Sequence, residues 1–222
     1  MASTIDYPNV ISTVLFVGKC NWNCDFCYNR NLVNKEDMDF DKNILPKLLK
    51  RKKFINHIII SGGEISCYHK EAIILIKKLI SYGFIVGIHS NGSNSSFIKE
   101  CIECGIKFIG MDIKADTYIN YKKITQTDFN FEQYQEIKKS IELIVQSGIE
   151  YDFRTTVYPK FLNVDNCISI AKQLSNLNAK HYVLQQFSDK EINCKCKSYQ
   201  KKYLENIVDE CNKYIKTELR GY

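Results

Sequence analysis

At 222 residues the chain is long enough for one sizeable core and short for two. A content of 45% hydrophobic and 25% charged residues excludes wholesale disorder and fibrous repeats, and a net charge of +6, spread along the chain, is too diffuse to argue for nucleic acid. The N-terminus lacks the basic start and apolar stretch of a signal peptide, and the longest apolar runs fall far short of the ~20 residues that span a bilayer. A cytoplasmic protein without membrane or nucleic-acid partners is therefore expected, its ten cysteines serving as reduced thiols, metal ligands or catalytic groups.

In chain order, residues 13–17 form a β-branched run ending at Gly18, and a cysteine-rich loop follows. Residues 42–52 read as a helix with Pro46 in its first turns. A buried strand over 57–60 ends at Ser61-Gly62-Gly63, and 70–82 is helical, with apolar residues at 72, 73, 76, 79 and 80. The unit recurs as strand 84–88, helix 95–104, strand 106–111, helix 131–147, strand 149–157, helix 164–176, strand 180–187 and helix 198–216. No linker interrupts it, so a single domain over 1–222 is expected. Six strand–helix units argue for parallel strands with right-handed crossovers. A closed eight-unit barrel takes about 250 residues. The expected fold is therefore α/β, a partial (β/α)6 TIM-like barrel, with an open doubly wound sheet as its competitor.

The informative segment is Gly18-Lys19-Cys20-Asn21-Trp22-Asn23-Cys24-Asp25-Phe26-Cys27-Tyr28-Asn29, directly after the first strand. Three thiolates so close in sequence can take three irons of one [4Fe–4S] cluster and leave the fourth iron open to an outside ligand. A structural zinc would need a fourth ligand, and the nearest histidines are His57 and His69. Unligated core thiols are the remaining alternative.

Cys20-x3-Cys24-x2-Cys27, with Phe26 before the last cysteine, resembles the signature loop of the radical S-adenosylmethionine superfamily. Asp6-Tyr7-Pro8, Ser61-Gly62-Gly63-Glu64, Ser90-Asn91-Gly92, Met111-Asp112-Ile113-Lys114-Ala115 and Phe153-Arg154-Thr155-Thr156 continue the likeness in order. Within the superfamily they resemble the activating enzymes of glycyl radical enzymes, above all that of anaerobic ribonucleoside-triphosphate reductase. The resemblance implies a radical SAM type of partial barrel and a [4Fe–4S] cluster on Cys20, Cys24 and Cys27. It further implies reductive cleavage of S-adenosyl-L-methionine to a 5′-deoxyadenosyl radical, which generates a glycyl radical on a partner, most directly anaerobic ribonucleotide reductase. A flavodoxin- or ferredoxin-type donor would supply the electron. The alternatives are a radical enzyme acting on a small molecule, for example in modified-base biosynthesis, and a non-catalytic Fe–S or metal-binding module.

The other candidate residues carry chemistry of their own. Gly62 and Gly63 let backbone approach a ligand closely, and Glu64 adds an acceptor for a cation; by resemblance this segment meets the cofactor's ammonium group. A simple strand-end turn is the plainer reading of Gly-Gly-Glu alone. Asp112 and Lys114, two apart, project to one side, either toward the cofactor, as the resemblance implies, or as a surface ion pair. Asn91 is a candidate hydrogen-bond partner of the cofactor; Tyr28 and Asn29, after the last cysteine, stack on or hydrogen-bond its adenine as the resemblance implies, with Phe26 before that cysteine a further cofactor-binding candidate; and Arg154 is either a carboxylate partner or part of an internal ion pair. His89 stands where relatives often carry an aspartate that holds a monovalent cation, and imidazole suits such a hard ion poorly. Cys101 and Cys104 read as buried thiols on a helix, and Cys194, Cys196 and Cys211 as either thiols or an additional metal centre.

Overall fold

The computed structural model describes residues 2–33, 40–189 and 196–221. Among the described residues eight strands hydrogen-bond in chain order in a mixed, mostly parallel sheet flanked by helices, an arrangement consistent with a partial (β/α) barrel. Among the described residues no helix is long and apolar enough to cross a membrane. The chain divides into two compact units.

The first unit comprises Met1–Asn21, Asn29–Ser90 and Ser96–Gly110. Here β1 (Ala2–Ser3) pairs antiparallel with β2 (Ser12–Val17), which runs parallel to β3 (His57–Gly62) with Thr13 opposite Ile58 and Val17 opposite Gly62. In turn β3 runs parallel to β4 (Ile85–Ser90). Ile58, Ile59 and Ile60 are wholly buried, as expected of a parallel strand covered on both faces. Tyr7, Val14, Ile59 and Phe108 form a shared core. The expected helix over 42–52 is realised as a wide π-type turn at Phe40–Ile44 running into α1 (Leu45–Arg51). Pro46 is tolerated in its first turn because an N–H there has no helical partner to lose. In α2 (His69–Ser81) Ala72, Ile73, Ile76 and Leu79 turn one apolar face inward.

The second unit comprises Trp22–Tyr28, Asn91–Ser95 and Met111–Tyr222. In it β6 (Glu150–Val157) and β7 (His181–Gln186) run parallel with Arg154 opposite Val183, and β7 runs parallel to β8 (Lys216–Arg220). Two helices, α5 (Phe131–Ser147) and α6 (Val164–Asn176), begin with reciprocal capping boxes, Asn130 with Gln133 and Asn163 with Asn166. The boxes explain why both starts match the sequence pattern. Two elements depart from it. A helix unanticipated from sequence, α4 (Tyr118–Thr125), follows β5 (Phe108–Asp112). The expected helix over 198–216 is shorter, α7 (Lys201–Asn212), because Asn212 turns the chain by accepting the Thr217 N–H at 2.7 Å, and β8 begins there.

Across β6, β7 and β8 the buried Asp152 carboxylate receives His181 Nε2 at 2.8 Å and the Arg220 guanidinium. Burial raises its pKa, but these hydrogen bonds and the Arg220 charge outweigh burial and hold it below the ordinary carboxylate value. A carboxylate with a lowered folded pKa stabilises fully above its unfolded pKa, and that stability is lost as pH falls through the folded value. Wild type should therefore lose more urea resistance between pH 6 and pH 3 than Asp152→Asn, whose acid-side slope should be shallower. Equal slopes would show that this cluster does not set the acid limit.

Candidate functional site

Within the first unit, β2 and β3 leave the sheet at the same edge. Gly63 N–H donates to Val17 O at 2.8 Å and Glu64 N–H to Lys19 O at 2.7 Å, so the turn after β3 lies directly on the chain leading to Cys20. A Cβ at Gly63 would stand 2.0 Å from Lys19 O, and one at Gly62, whose φ is +113°, would stand 2.5 Å from Val17 O. The close approach that requires these glycines is thus to the protein's own backbone. Asn29 Nδ2 donates to Gly62 O at 2.9 Å and ties the end of the cysteine loop to this turn. Glu64 is 1% exposed, and its Oε1 accepts from Ser66 N–H at 3.0 Å and Ser90 Oγ at 2.9 Å. Two donors on one oxygen hold the carboxylate in place at the strand ends.

His89 is occupied structurally. Its Nε2 must donate to the Asp6 carbonyl, 2.9 Å away, because a carbonyl only accepts; Nδ1 then faces Ser61 Oγ at 3.1 Å. The ring fastens the N-terminal arm to the ends of β3 and β4.

Within the second unit, the middle of the cysteine loop rests on α4. The last carbonyls of a helix lack intrahelical partners. Here Asn23 N–H donates to Thr125 O at 2.9 Å and Asp25 N–H to Ile124 O at 3.2 Å, so the backbone on either side of Cys24 caps the helix. Trp22 is buried against Tyr121 and Phe129. The Asp25 carboxylate accepts from Lys160 Nζ at 2.6 Å, Tyr158 OH at 3.1 Å and Gln126 Nε2 at 3.0 Å. The Lys160 hydrogen bond, against the opposing effect of burial, lowers its pKa. Phe26 is buried on Tyr158, and Tyr28, 40% exposed, accepts the Ser188 N–H at 2.8 Å and stacks on Phe187. Trp22, Asp25, Tyr158 and Lys160 were not legible as loop-positioning residues, because the pair at 158 and 160 lies far in sequence from the pair at 22 and 25 and the helix they serve carries a weak pattern.

Asp112, Lys114 and Arg154 converge in the same unit. Asp112 Oδ2 accepts from Lys114 Nζ at 2.9 Å, and Oδ1 receives Arg154 Nη2 at 2.9 Å and Nε at 3.1 Å. The Lys114 ammonium also lies 5.5 Å from the Phe26 ring centroid. Burial works against its charge, but the Asp112 carboxylate and the Cys24 sulfur outweigh burial and push its pKa up to about 12. Arg154 is an ion-pair partner of Asp112 and stands beside Lys114. Asn91 is buried, and its Oδ1 accepts the Ser93 N–H at 3.0 Å, turning the chain after β4.

Residues 14–184 match the family model of the Radical SAM superfamily. The chain belongs to the radical SAM superfamily. A relative from Methanocaldococcus jannaschii, named "Putative glycyl-radical enzyme activating enzyme MJ1227", is 32% identical over 196 residues, which cover 85% of this chain and 78% of that protein. Among solved structures, Streptococcus suis SuiB bound to the precursor peptide SuiA aligns with a TM-score of 0.71 at 12% identity, over 94% of this chain and 48% of SuiB, so this chain spans about half of that protein. TYW1 with a lysine-pyruvate adduct bound aligns with a TM-score of 0.65 at 16% identity, over 92% of this chain and 72% of TYW1. At these identities the two structures speak for the fold.

The radical SAM chemistry requires thiolate ligands and a polar cradle for the cofactor. The donor set fits. Cys24 is buried and Cys20 and Cys27 are half-buried, and none of the described cysteines forms a disulfide. Among the described residues, no three His, Cys, Asp or Glu side chains are gathered into a metal-binding group. Of the other cysteines, Cys101 is buried and Cys104 half-buried; burial raises the pKa of both thiols. Burial likewise pushes the Cys211 thiol in α7 up to about 12, Cys196 is half-buried, and Cys194 lies outside the described residues.

Proposed function

We propose that this radical SAM enzyme holds a [4Fe–4S] cluster through Cys20, Cys24 and Cys27 and abstracts a hydrogen atom from a small molecule or a peptide. The observation that carries the reading is the Cys20-x3-Cys24-x2-Cys27 loop after β2 in a chain that matches the family over residues 14–184. When bound, the cluster supplies the electron that cleaves S-adenosyl-L-methionine to methionine and a 5′-deoxyadenosyl radical.

The chain's own residues bind and orient. Glu64, fixed by Ser66 and Ser90, offers a buried anion to the cofactor's ammonium, and the backbone at Gly62 and Gly63 offers carbonyls beside it. Lys114 and Arg154, held apart by Asp112, present two cations suited to a carboxylate. Tyr28 provides exposed aromatic surface for adenine, the buried Phe26 anchors the loop beside it on Tyr158, and Asn29 and Asn91 fix the turns on which polar contacts to the ribose depend. The peptide bound to SuiB and the adduct bound to TYW1 support a peptide or small-molecule target on this fold.

A second reading, favoured by the name of the 32%-identical relative, places the target on a glycine of a partner glycyl radical enzyme. Its narrowing to anaerobic ribonucleotide reductase, and the choice of a flavodoxin- or ferredoxin-type donor, rest on the sequence motifs.

One anaerobic experiment separates the readings. Reconstituted enzyme, reductant and S-adenosyl-L-methionine are incubated with a metabolite and peptide pool, with the candidate reductase, and with that reductase carrying alanine for its radical glycine. Accelerated 5′-deoxyadenosine formation with a modified metabolite or peptide supports the first reading. A stable organic doublet in the electron spin resonance spectrum of the reductase, lost in the alanine form, moves the assignment to the second. No 5′-deoxyadenosine in any mixture would overturn both.

A further inference from the structure

One thiol near the strand ends has no part in the cofactor reading. Cys67 lies three residues beyond Glu64, in the short helical turn Ile65–Tyr68 of the first unit, with its side chain exposed. That turn is strapped to the chain on both sides of Cys20. Glu64 N–H donates to Lys19 O at 2.7 Å, Lys19 N–H donates to Tyr68 Oη at 3.2 Å, and Asn21 N–H donates to the Cys67 sulfur. The Lys19 ammonium also lies 5.0 Å from the Tyr68 ring centroid. Residues 19–21 therefore run alongside residues 64–68, with half-buried Cys20 between two anchored neighbours. The unit's other cysteines are less suited: Cys101 is buried in α3 (Ser95–Glu103), and no contact ties Cys104, just beyond that helix, to the chain around Cys20 among the hydrogen bonds described.

We propose that Cys67 is a redox-modification site which, in the cluster-free chain, forms a disulfide with Cys20 on exposure to a disulfide oxidant. The step is two successive thiol–disulfide exchanges. One cysteine sulfur attacks oxidised glutathione and releases one glutathione, and the second sulfur then displaces the other, so two hydrogens and two electrons pass from the cysteine pair to give two glutathione molecules. Its consequence rests on the reading of Cys20 as a cluster ligand: the linked chain lacks one ligand, so iron is not taken up until the disulfide is reduced. Cys67 would thereby protect Cys20 from irreversible oxidation while the site is empty of iron.

The test uses the full chain, stripped of iron by a chelator, reduced, desalted and exposed to oxidised glutathione at ~0.1 mM. Strapped thiols act at an effective concentration of order mM, so the Cys20–Cys67 linked peptide should exceed glutathionylated Cys20 by roughly tenfold in non-reducing peptide mapping. Cys67→Ser, at an exposed position, should abolish that peptide, whereas Cys101→Ser should retain it. Iron uptake by oxidised wild type should fall roughly tenfold and return after dithiothreitol, in proportion to the linked fraction. Recovery of Cys20 mainly as its glutathione adduct, or linked to Cys24 or Cys27, would overturn the proposal. Full iron uptake by the Cys20–Cys67 linked chain would instead remove Cys20 from the ligand set and leave the modification site standing.

Discussion

Cys24→Ala is expected to reduce iron after anaerobic reconstitution from about four per chain to near zero, and 5′-deoxyadenosine formation with it. The fold should survive. The thiol is small, and losing its burial costs about 1 kcal/mol, while the ties that shape the loop use backbone atoms on either side: Asn23 N–H to Thr125 O, Asp25 N–H to Ile124 O and Cys27 N–H to Cys24 O. Loss of iron with a melting temperature lowered by only about 2–4 °C would then report a missing ligand and not a collapsed loop. Cys211→Ala, at a buried thiol in α7, supplies the contrast: it should cost stability of the same order and keep its iron. A Cys24→Ala protein that retains four irons and still cleaves the cofactor would refute the ligand assignment.

The parts of this architecture that were legible are those whose signals are local. Ile58, Ile59 and Ile60 form a continuous apolar run because both faces of β3 are covered, and the patterned stretches 131–147 and 164–176 became α5 and α6, whose starts Asn130 and Asn163 cap. The cysteine spacing is likewise local. What was not legible depends on contacts made at a distance. The sequence Tyr118–Thr125 mixes aromatic and β-branched residues and shows little helical periodicity; α4 persists because Thr117 caps it, Tyr121 is buried against Trp22 and Phe129, and the cysteine loop satisfies its final carbonyls. In β8, Lys216–Arg220 continues the polar pattern of the preceding helix and becomes a strand through its ladder with β7 and the reach of Arg220 to Asp152. The glycines at 62 and 63 were legible as a demand for close approach, but not as an approach to Lys19 and Val17.

Asp112→Ala should have the largest effect on stability of any single change in the candidate cofactor cradle. One carboxylate holds two cations, Lys114 at 2.9 Å and Arg154 at 2.9 Å, whose side chains are 14% and 10% exposed. Removing it leaves two like charges facing each other away from water, and breaking a buried pair in this way costs about 3 kcal/mol, the lower end of the usual range because 32% of the Asp112 side chain reaches solvent. For a chain of this length that corresponds to a melting temperature lower by about 5–10 °C. The loss should not depend on pH between 6 and 9. The raised folded pKa of Lys114, about 12 against an ordinary 10.5, gives stability that is fully present below 10.5 and disappears only as pH rises through 12. Asp112→Asn keeps an acceptor for the guanidinium and should recover part of the loss. The cofactor role is separable from this structural one. In cluster-loaded Asp112→Asn, affinity for S-adenosyl-L-methionine should fall about 10- to 150-fold if the carboxylate itself contacts the cofactor. It should stay within about threefold if Asp112 acts only by holding Lys114 and Arg154 in place. The second outcome would make Asp112 a positioning residue and transfer the binding role to the two cations, which Lys114→Met and Arg154→Met would then expose.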